Sequence, residues 1–491
     1  MIAASATSSS SVVAASFPAS KPSRGRPLHS FSPSFPSFLN IRRRPSSSLH
    51  IVAAHHSVDV VVVGAGVIGL TIARQLLTSS DLSVAVVDKA VPCAGATGAG
   101  QGYIWMSHKT PGTDIWELSV RSQGLWEQLA DSICGEGLDP ADVIGWKKTG
   151  SLLIGNTIEE SIILQQRVKQ FVEASVAAEY LSSDDLMLEE PDLTVSKESG
   201  AAFLPNDSQL DAKQTVAFIQ KGNRNFISQG RYAEFFHNPV KSLLRSVGKS
   251  EVEGIVTTKH TVLGKKAVVV AAGCWSGLLM DELLKETDIG VDIPVKPRKG
   301  HLLVLENCDV LQVNHGLMEV GYVNHQRAKA DIGTISDPVN DDQLSISMTA
   351  TIDVHGNLVL GSSRQFVGFC DKVDKSVIDR IWKRAGEFFP KLKDINLDEV
   401  DKNSEVRIGL RPYMPEGKPV IGLVPGLSNL FVAAGHEGSG LCLALGTAEM
   451  IVDMILRNPA KHYICHLILE ESRYLFSKSS GILRSYNNAS V

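Results

Sequence analysis

The run Gly64-Ala65-Gly66-Val67-Ile68-Gly69, followed by Asp88-Lys89, has the residue types and spacing that hold the pyrophosphate and ribose of a dinucleotide. The first glycine permits a tight turn, the second lets the pyrophosphate approach the backbone, and the third lets a helix pack against its strand. Asp88 follows at about the twenty-residue interval where a carboxylate accepts hydrogen bonds from a ribose 2′-OH. An acid there argues against a 2′-phosphate, so FAD or NAD fits better than NADP. Two more glycine-rich stretches follow, Gly95-Ala96-Thr97-Gly98-Ala99-Gly100-Gln101-Gly102 and Gly435-His436-Glu437-Gly438-Ser439-Gly440. The second opens a helix far down the chain. Oriented amides and a helix dipole there would stabilise the negative charge that develops on a flavin ring when it is reduced.

These residues need a scaffold, and the flanking pattern supplies one. Val60 to Val63 reads as a buried parallel strand, Val67 to Leu77 as the helix after the glycines, and Val84 to Val87 as the next strand. Ala267 to Val270, running through Ala271 and Ala272 to Gly273 and Trp275, reads as another parallel strand of the same sheet. Strand Leu430 to Ala434 and a helix to Ile455 carry the last glycine stretch. Between these parts the pattern changes. Ile115 to Ile133 has helical spacing at Leu118, Val120, Leu125 and Leu129, Ser151 to Ile154 reads as a strand, and Ile158 to Ala174 as a helix opened by Thr157 and Glu160 in capping-box spacing. His301 to Leu305 is a strand, Met348 to Gly361 a hairpin turning at His355-Gly356-Asn357, and Val377 to Phe388 a helix stopped by Pro390.

Composition excludes several classes. A chain of 491 residues with 43% hydrophobic content, 21% charge and a net charge of −5 is an ordinary globular protein of more than one domain. No basic run outside the leader suggests nucleic acid. The seven cysteines, Cys93, Cys134, Cys274, Cys308, Cys370, Cys442 and Cys465, lack C-x-x-C spacing and read as buried thiols. The histidines show no metal-ligand spacing, so no metal is expected. No apolar run reaches the roughly eighteen residues of a membrane span. Residues 1–55 read as an organelle transit peptide, with Arg24, Arg26, Arg42, Arg43 and Arg44 among Ser, Ala and Pro and no acid before Asp59. Ile51-Val52-Ala53-Ala54 resembles a plastid processing pattern, which makes the chloroplast the expected location and the mitochondrion the alternative.

From Val58 to about Ile455 the chain resembles the D-amino acid oxidase and glycine oxidase family of FAD-dependent oxidoreductases. The motifs that carry the resemblance are the Gly64/Gly66/Gly69/Asp88 fingerprint, the Ala96 to Gly102 loop, Ala271-Ala272-Gly273-x-Trp275, Pro294 to Leu303, Gly409-Leu410-Arg411-Pro412, and Gly435-His436 with Gly440. The resemblance implies an α/β fold: a Rossmann-like FAD-binding domain, discontinuous in sequence, with a second α+β substrate domain built on a mostly antiparallel sheet. The expected division gives FAD-binding segments at 56–145, 205–288 and 401–475, substrate-domain segments at 146–204 and 289–400, and a C-terminal tail at 476–491. It implies FAD contacts at Gly64, Ala65, Gly66, Val67, Ile68, Gly69, Asp88, Lys89, Ala96, Thr97, Gln101 and Gly102, and again at Gly273, Trp275, Gly435, Gly438, Ser439 and Gly440. Arg411 matches the family arginine that pairs with a substrate carboxylate, for which a planar guanidinium fork is suited. His436 is placed at the pyrimidine end of the flavin.

The activity implied is hydride transfer from a small amino acid or secondary amine to flavin N5, leaving an imine that hydrolyses, with O₂ or an electron carrier taking the electrons afterwards. No Cys lies near Gly409, where some relatives attach flavin, so the FAD is expected to be non-covalent. Two other functions are compatible with the same motifs. A 2-hydroxy-acid dehydrogenase would need a histidine base such as His436 or His301. A catalytically silent FAD-binding assembly factor would need none. His108, Lys109 and Tyr413 are candidates to line the re-oxidation or substrate side, and for them a solvated surface position is the competing expectation.

Overall fold

A five-stranded parallel sheet holds the first glycine motif. In the computed structural model, which describes residues 54–245, 250–285, 289–321, 344–397 and 404–458, Ala54–Val63 lies at its centre. Its neighbours are Val84–Val87 and then Tyr232–Phe235 on one side, and His260–Val270 and then Leu430–Ala434 on the other, all parallel. Val60, Val61 and Val62 are fully buried, as a strand covered on both faces requires. Antiparallel strands extend the sheet to eight. The transit peptide, Cys465 and the C-terminal tail lie outside the described residues, except that Ala54 and His55 already belong to the first strand.

Helix Val67–Ser79 follows the motif and packs against helices Gly440–Leu456 and Ala212–Arg224. The close approach of helix to strand depends on Gly69, where a Cβ would stand 2.0 Å from the Gly64 carbonyl oxygen. Helix Trp116–Gly135 lies on Gly440–Leu456, with Ser122 Oγ donating to the Cys442 carbonyl at 2.6 Å and Trp126 Nε1 to that of Leu441 at 3.0 Å. Its buried stripe is Leu118, Ser122 and Trp126; Val120, expected in the core, is exposed because it falls between the turns of that stripe. The 20-residue stretch Glu437–Leu456 has a mean hydropathy of 1.6, but 61% of its apolar window is buried inside this packing.

The second sheet also has eight strands, in the order Ser404–Tyr413, Lys296–Leu305, Leu358–Arg364, Ser345–Ile352, Gly316–Glu319, Ser151–Gly155, Gly200–Leu204 and Glu179–Ser182. Every pairing is antiparallel except that between Gly316–Glu319 and Ser151–Gly155. Helix Lys375–Phe388 covers one face through Val377, Ile378, Ile381 and Ala385. One boundary differs from the sequence reading. Ser404–Tyr413, expected within the third FAD-binding segment, pairs along its whole length with Lys296–Leu305 in this second sheet. Thr157 caps its helix by accepting from Glu160 N, but the Glu160 carboxylate turns to Asn156 N at 2.7 Å and leaves the capping box incomplete. The thiols also divide: Cys274 and Cys442 are buried, whereas Cys134 and Cys370 are exposed on a helix end and a loop.

Candidate active site

A cavity of about 740 Å³ runs from the carboxyl ends of the central parallel strands to the edge of the second sheet. That volume is within the range of small-molecule and cofactor sites. At the nucleotide end Gly64 takes φ +116°, and a Cβ on it would stand 2.2 Å from the Ala271 carbonyl oxygen. Gly66 is different. It caps the helix from extended geometry, and a Cβ there would meet only Thr97 Oγ1, at 3.3 Å, beside the cavity. Thr97 Oγ1 also accepts from Val67 N at 3.2 Å, so it tethers the second glycine loop to the start of the helix. Asp88 accepts from Ala65 N and Ala90 N, each at 2.7 Å, which fixes the carboxylate at the strand end. Lys89 lies over the Trp275 ring at 3.8 Å, and Phe369 stacks on that indole with ring centroids 5.7 Å apart.

Most of the residues singled out in the sequence meet at this cavity. Gly64, Gly66, Val67, Ile68, Asp88, Lys89, Ala96, Thr97, Gln101, Gly102, Gly273, Trp275, Gly438 and Gly440 line it, together with Arg411 and His436. Ala65, Gly69, Gly435 and Ser439 are not in its wall. Gly69 and Gly435 make room for packing, the latter against Met414, and Ser439 accepts from the Lys109 ammonium.

The other end of the cavity is built by an antiparallel pairing the sequence did not reveal. Arg298-Lys299-Gly300 runs opposite Gly409-Leu410-Arg411, placing Arg298 across from Arg411 and Gly300 across from Gly409. Both glycines line the cavity floor, and the missing side chain at Gly409 makes room for Ala99, whose Cβ would stand 3.1 Å from an added Cβ. The Arg411 guanidinium lies over Gly300, where an added Cβ would be 2.1 Å from Nη1, and it donates to the Ser363 carbonyl at 3.0 Å. Beside it Arg298 pairs with Glu437 at 2.5 Å. The sequence carried a signal for this arrangement, an Arg-x-Gly and a Gly-x-Arg on two strands that read in opposite directions.

His436 is buried, with Nε2 within 3.0 Å of Thr447 Oγ1. Burial, with a further push from the Lys109 charge, lowers its pKa to about 3, so the ring is neutral at physiological pH. His301 is likewise buried against Ser363 Oγ, and burial, with Lys299, lowers it to about 4. Lys109 is not a surface residue. It is 3% exposed, and burial lowers its pKa. Among the described residues no group of three His, Cys, Asp or Glu is placed to hold a metal ion.

A pH dependence follows from the two histidines. In the unfolded chain each takes up its proton near 6.5, but in the fold only near 3 and 4. Lowering the pH from about 6.5 towards 4 therefore loads protons on the unfolded state and reduces stability. Thermal melts over that range should show Tm falling, and His436→Gln should flatten part of the fall. A Tm indifferent to the substitution would show that His436 has no such linkage.

Residues 59–454 match the family described as FAD dependent oxidoreductase, DAO. The chain belongs to this family. Glycine oxidase of Geobacillus kaustophilus is 25% identical over 408 residues, which cover 82% of this chain and 94% of the relative. That of Pseudomonas aeruginosa is 26% identical over 407 residues, covering 81% and 94%. The crystal structure of glycine oxidase from Geobacillus kaustophilus shares the fold with a TM-score of 0.69 at 20% identity, over 86% of this chain and 100% of that one. The protein is thus an FAD-dependent oxidoreductase of the DAO family, and its two sheets are those of the DAO fold.

Proposed function

We propose that this DAO-family oxidoreductase oxidises the C–N bond of a small amino acid or secondary amine. The observation that carries the reading is the Arg411 guanidinium, laid over bare glycine backbone at the cavity floor, where a carboxylate can be taken by its planar fork. FAD supplies the two-electron acceptor for the hydride. The chain's residues supply position. The cradle fits the cofactor: Gly66 leaves the space a pyrophosphate needs, Asp88 follows at the interval of a ribose-binding acid, and Gly438 and Gly440 line the cavity at the opening of a helix. Arg411 orients the substrate by its carboxylate at the floor, which holds the reacting carbon at a fixed place and lowers the entropic cost of the step. His436, neutral and bonded to Thr447, shapes the wall rather than carrying a charge. No cysteine is placed by the sequence at the Gly409 end, and FAD in this reading is dissociable.

Product analysis tests the reaction type. Glycine or N-methylglycine should yield a carbonyl acid together with ammonia or methylamine in equal amounts. Turnover of 2-hydroxy acids in preference to amines would favour the hydroxy-acid reading instead, with His436 as the group that receives the hydroxyl proton. The acid-free, arginine-containing leader supports import into plastids as a further part of this proposal. A fluorescent fusion of residues 1–55 should collect in chloroplasts, and a diffuse cytosolic signal would remove that part.

A further inference from the structure

Lys109 stands behind the cavity wall, not in it, and its ammonium donates to Ser439 Oγ. Ser439 lies between Gly438 and Gly440, both of which line the cavity. The lysine is held from its backbone. Asp207 accepts from Met106 N at 2.8 Å and Ser107 N at 3.1 Å, Lys109 N donates to the Met106 carbonyl at 2.8 Å, and the Arg167 guanidinium donates to the Lys109 carbonyl. Among the described residues no carboxylate comes within ion-pair distance of the ammonium, although the lysine is buried. Burial lowers its pKa, and the charges of Glu437 and Asp207 oppose that fall without pairing with it. Both acids are committed elsewhere. Glu437 meets Arg298 at 2.5 Å and feels Arg411 and Arg364 as well, while Asp207 also accepts from Ser151 Oγ at 2.6 Å and Gln123 Nε2 at 3.3 Å.

Ser439 is the N-cap residue of helix Gly440–Leu456, yet its hydroxyl makes no cap bond to that helix. A serine in that place ordinarily accepts from an amide of the first turn; this one accepts from Lys109. The arrangement is costly in isolation, because a buried ammonium lacks a carboxylate and stands at the positive end of the helix dipole. A ligand that gains negative charge there offsets both costs. The pyrophosphate belongs to the first glycine turn, which leaves the stretch of wall from His436 to Gly440 to the flavin ring and the substrate. The Lys109 charge reaches that stretch, where it adds to burial in holding His436 neutral. A hydride adds two electrons and one proton to FAD, so the reduced ring carries one negative charge more than the oxidised ring. We propose that Lys109, acting through the Ser439 turn, is a fixed cation that favours the reduced flavin and so sets how readily a substrate reduces it. The effect is the same whatever the substrate, so it is tested without an amine.

Midpoint potentials of the purified holoenzyme, measured anaerobically against a reference dye, read this effect directly. Wild type should lie above free FAD in the same buffer. Lys109→Met keeps the length of the side chain and removes its charge, and the equilibrium constant for reduction should fall roughly tenfold or more, about 30 mV more negative for a two-electron couple. Lys109→Arg restores a charge and should recover most of that shift. Sulfite is a second probe, since it bonds to flavin N5 with its own electron pair and leaves the extra charge on the ring. Lys109→Met should bind it roughly tenfold more weakly than wild type. A wild-type potential at or below that of free FAD overturns the proposal whatever the variants do. An unchanged potential in Lys109→Met, or an equal fall in Lys109→Arg, makes the lysine a structural donor to Ser439 and overturns it as well.

Discussion

Gly66→Val is expected to give a folded protein that carries no FAD. The position takes extended backbone geometry, and the first atom an added Cβ meets is Thr97 Oγ1 at 3.3 Å, a side chain that can move. The apo fold should therefore tolerate valine. Its methyl groups would project into the cavity beside the helix opening, which is the space the pyrophosphate needs. Gly64→Ala makes the contrast. There φ is +116° and the Cβ would stand 2.2 Å from the Ala271 carbonyl, so the change forces two central strands apart and should damage the fold itself. Flavin content after purification, read beside circular dichroism and thermal melting, separates the two outcomes. Stoichiometric flavin in Gly66→Val would remove the glycine turn from the cofactor site.

Arg411→Lys should lower kcat/KM for carboxylated substrates by roughly ten- to a hundred-fold. Lysine keeps the charge but loses the fork, at a cost of about 1.5 to 3 kcal/mol for a charged hydrogen bond. Flavin content should survive, because Arg411 approaches the floor at Gly300 rather than the nucleotide end. Amines without a carboxylate should be slowed far less. Equal slowing of both substrate types, or loss of FAD, would make Arg411 a structural residue bound to the Ser363 carbonyl.

The nucleotide end was legible because its information is local. Gly64 to Gly69 and Asp88 are joined by one strand, one helix and one strand, and the physical need at each position is visible in the residue type. The floor was not. Arg298 and Arg411 are over a hundred residues apart, and only the register of an antiparallel pair sets Gly300 beneath the Arg411 guanidinium. The same register draws Ser404–Tyr413 into the second sheet although its sequence neighbours, Val420–Leu423 and Leu430–Ala434, belong to the first. Burial of Lys109 was hidden for a related reason. Its ammonium is satisfied by Ser439 at the mouth of a helix more than three hundred residues away, and a lone lysine gives no sign of such a partner. The stripe of helix Trp116–Gly135 was misread at Val120 because one of its buried positions is Ser122, a polar residue that donates to the Cys442 carbonyl across the helix interface.

Anaerobic mixing of the purified holoenzyme with single substrates tests the central claim most directly, since it reads electron transfer from substrate without requiring the later acceptor. The panel is glycine, N-methylglycine, proline and other amino acids of both configurations, plain amines, and 2-hydroxy acids. The account predicts that at least one amino acid or N-alkyl amino acid bleaches the oxidised flavin band at a rate that saturates with concentration, and that 2-hydroxy acids leave it unchanged. Bleaching by a 2-hydroxy acid while every amine in the panel fails would contradict C–N oxidation.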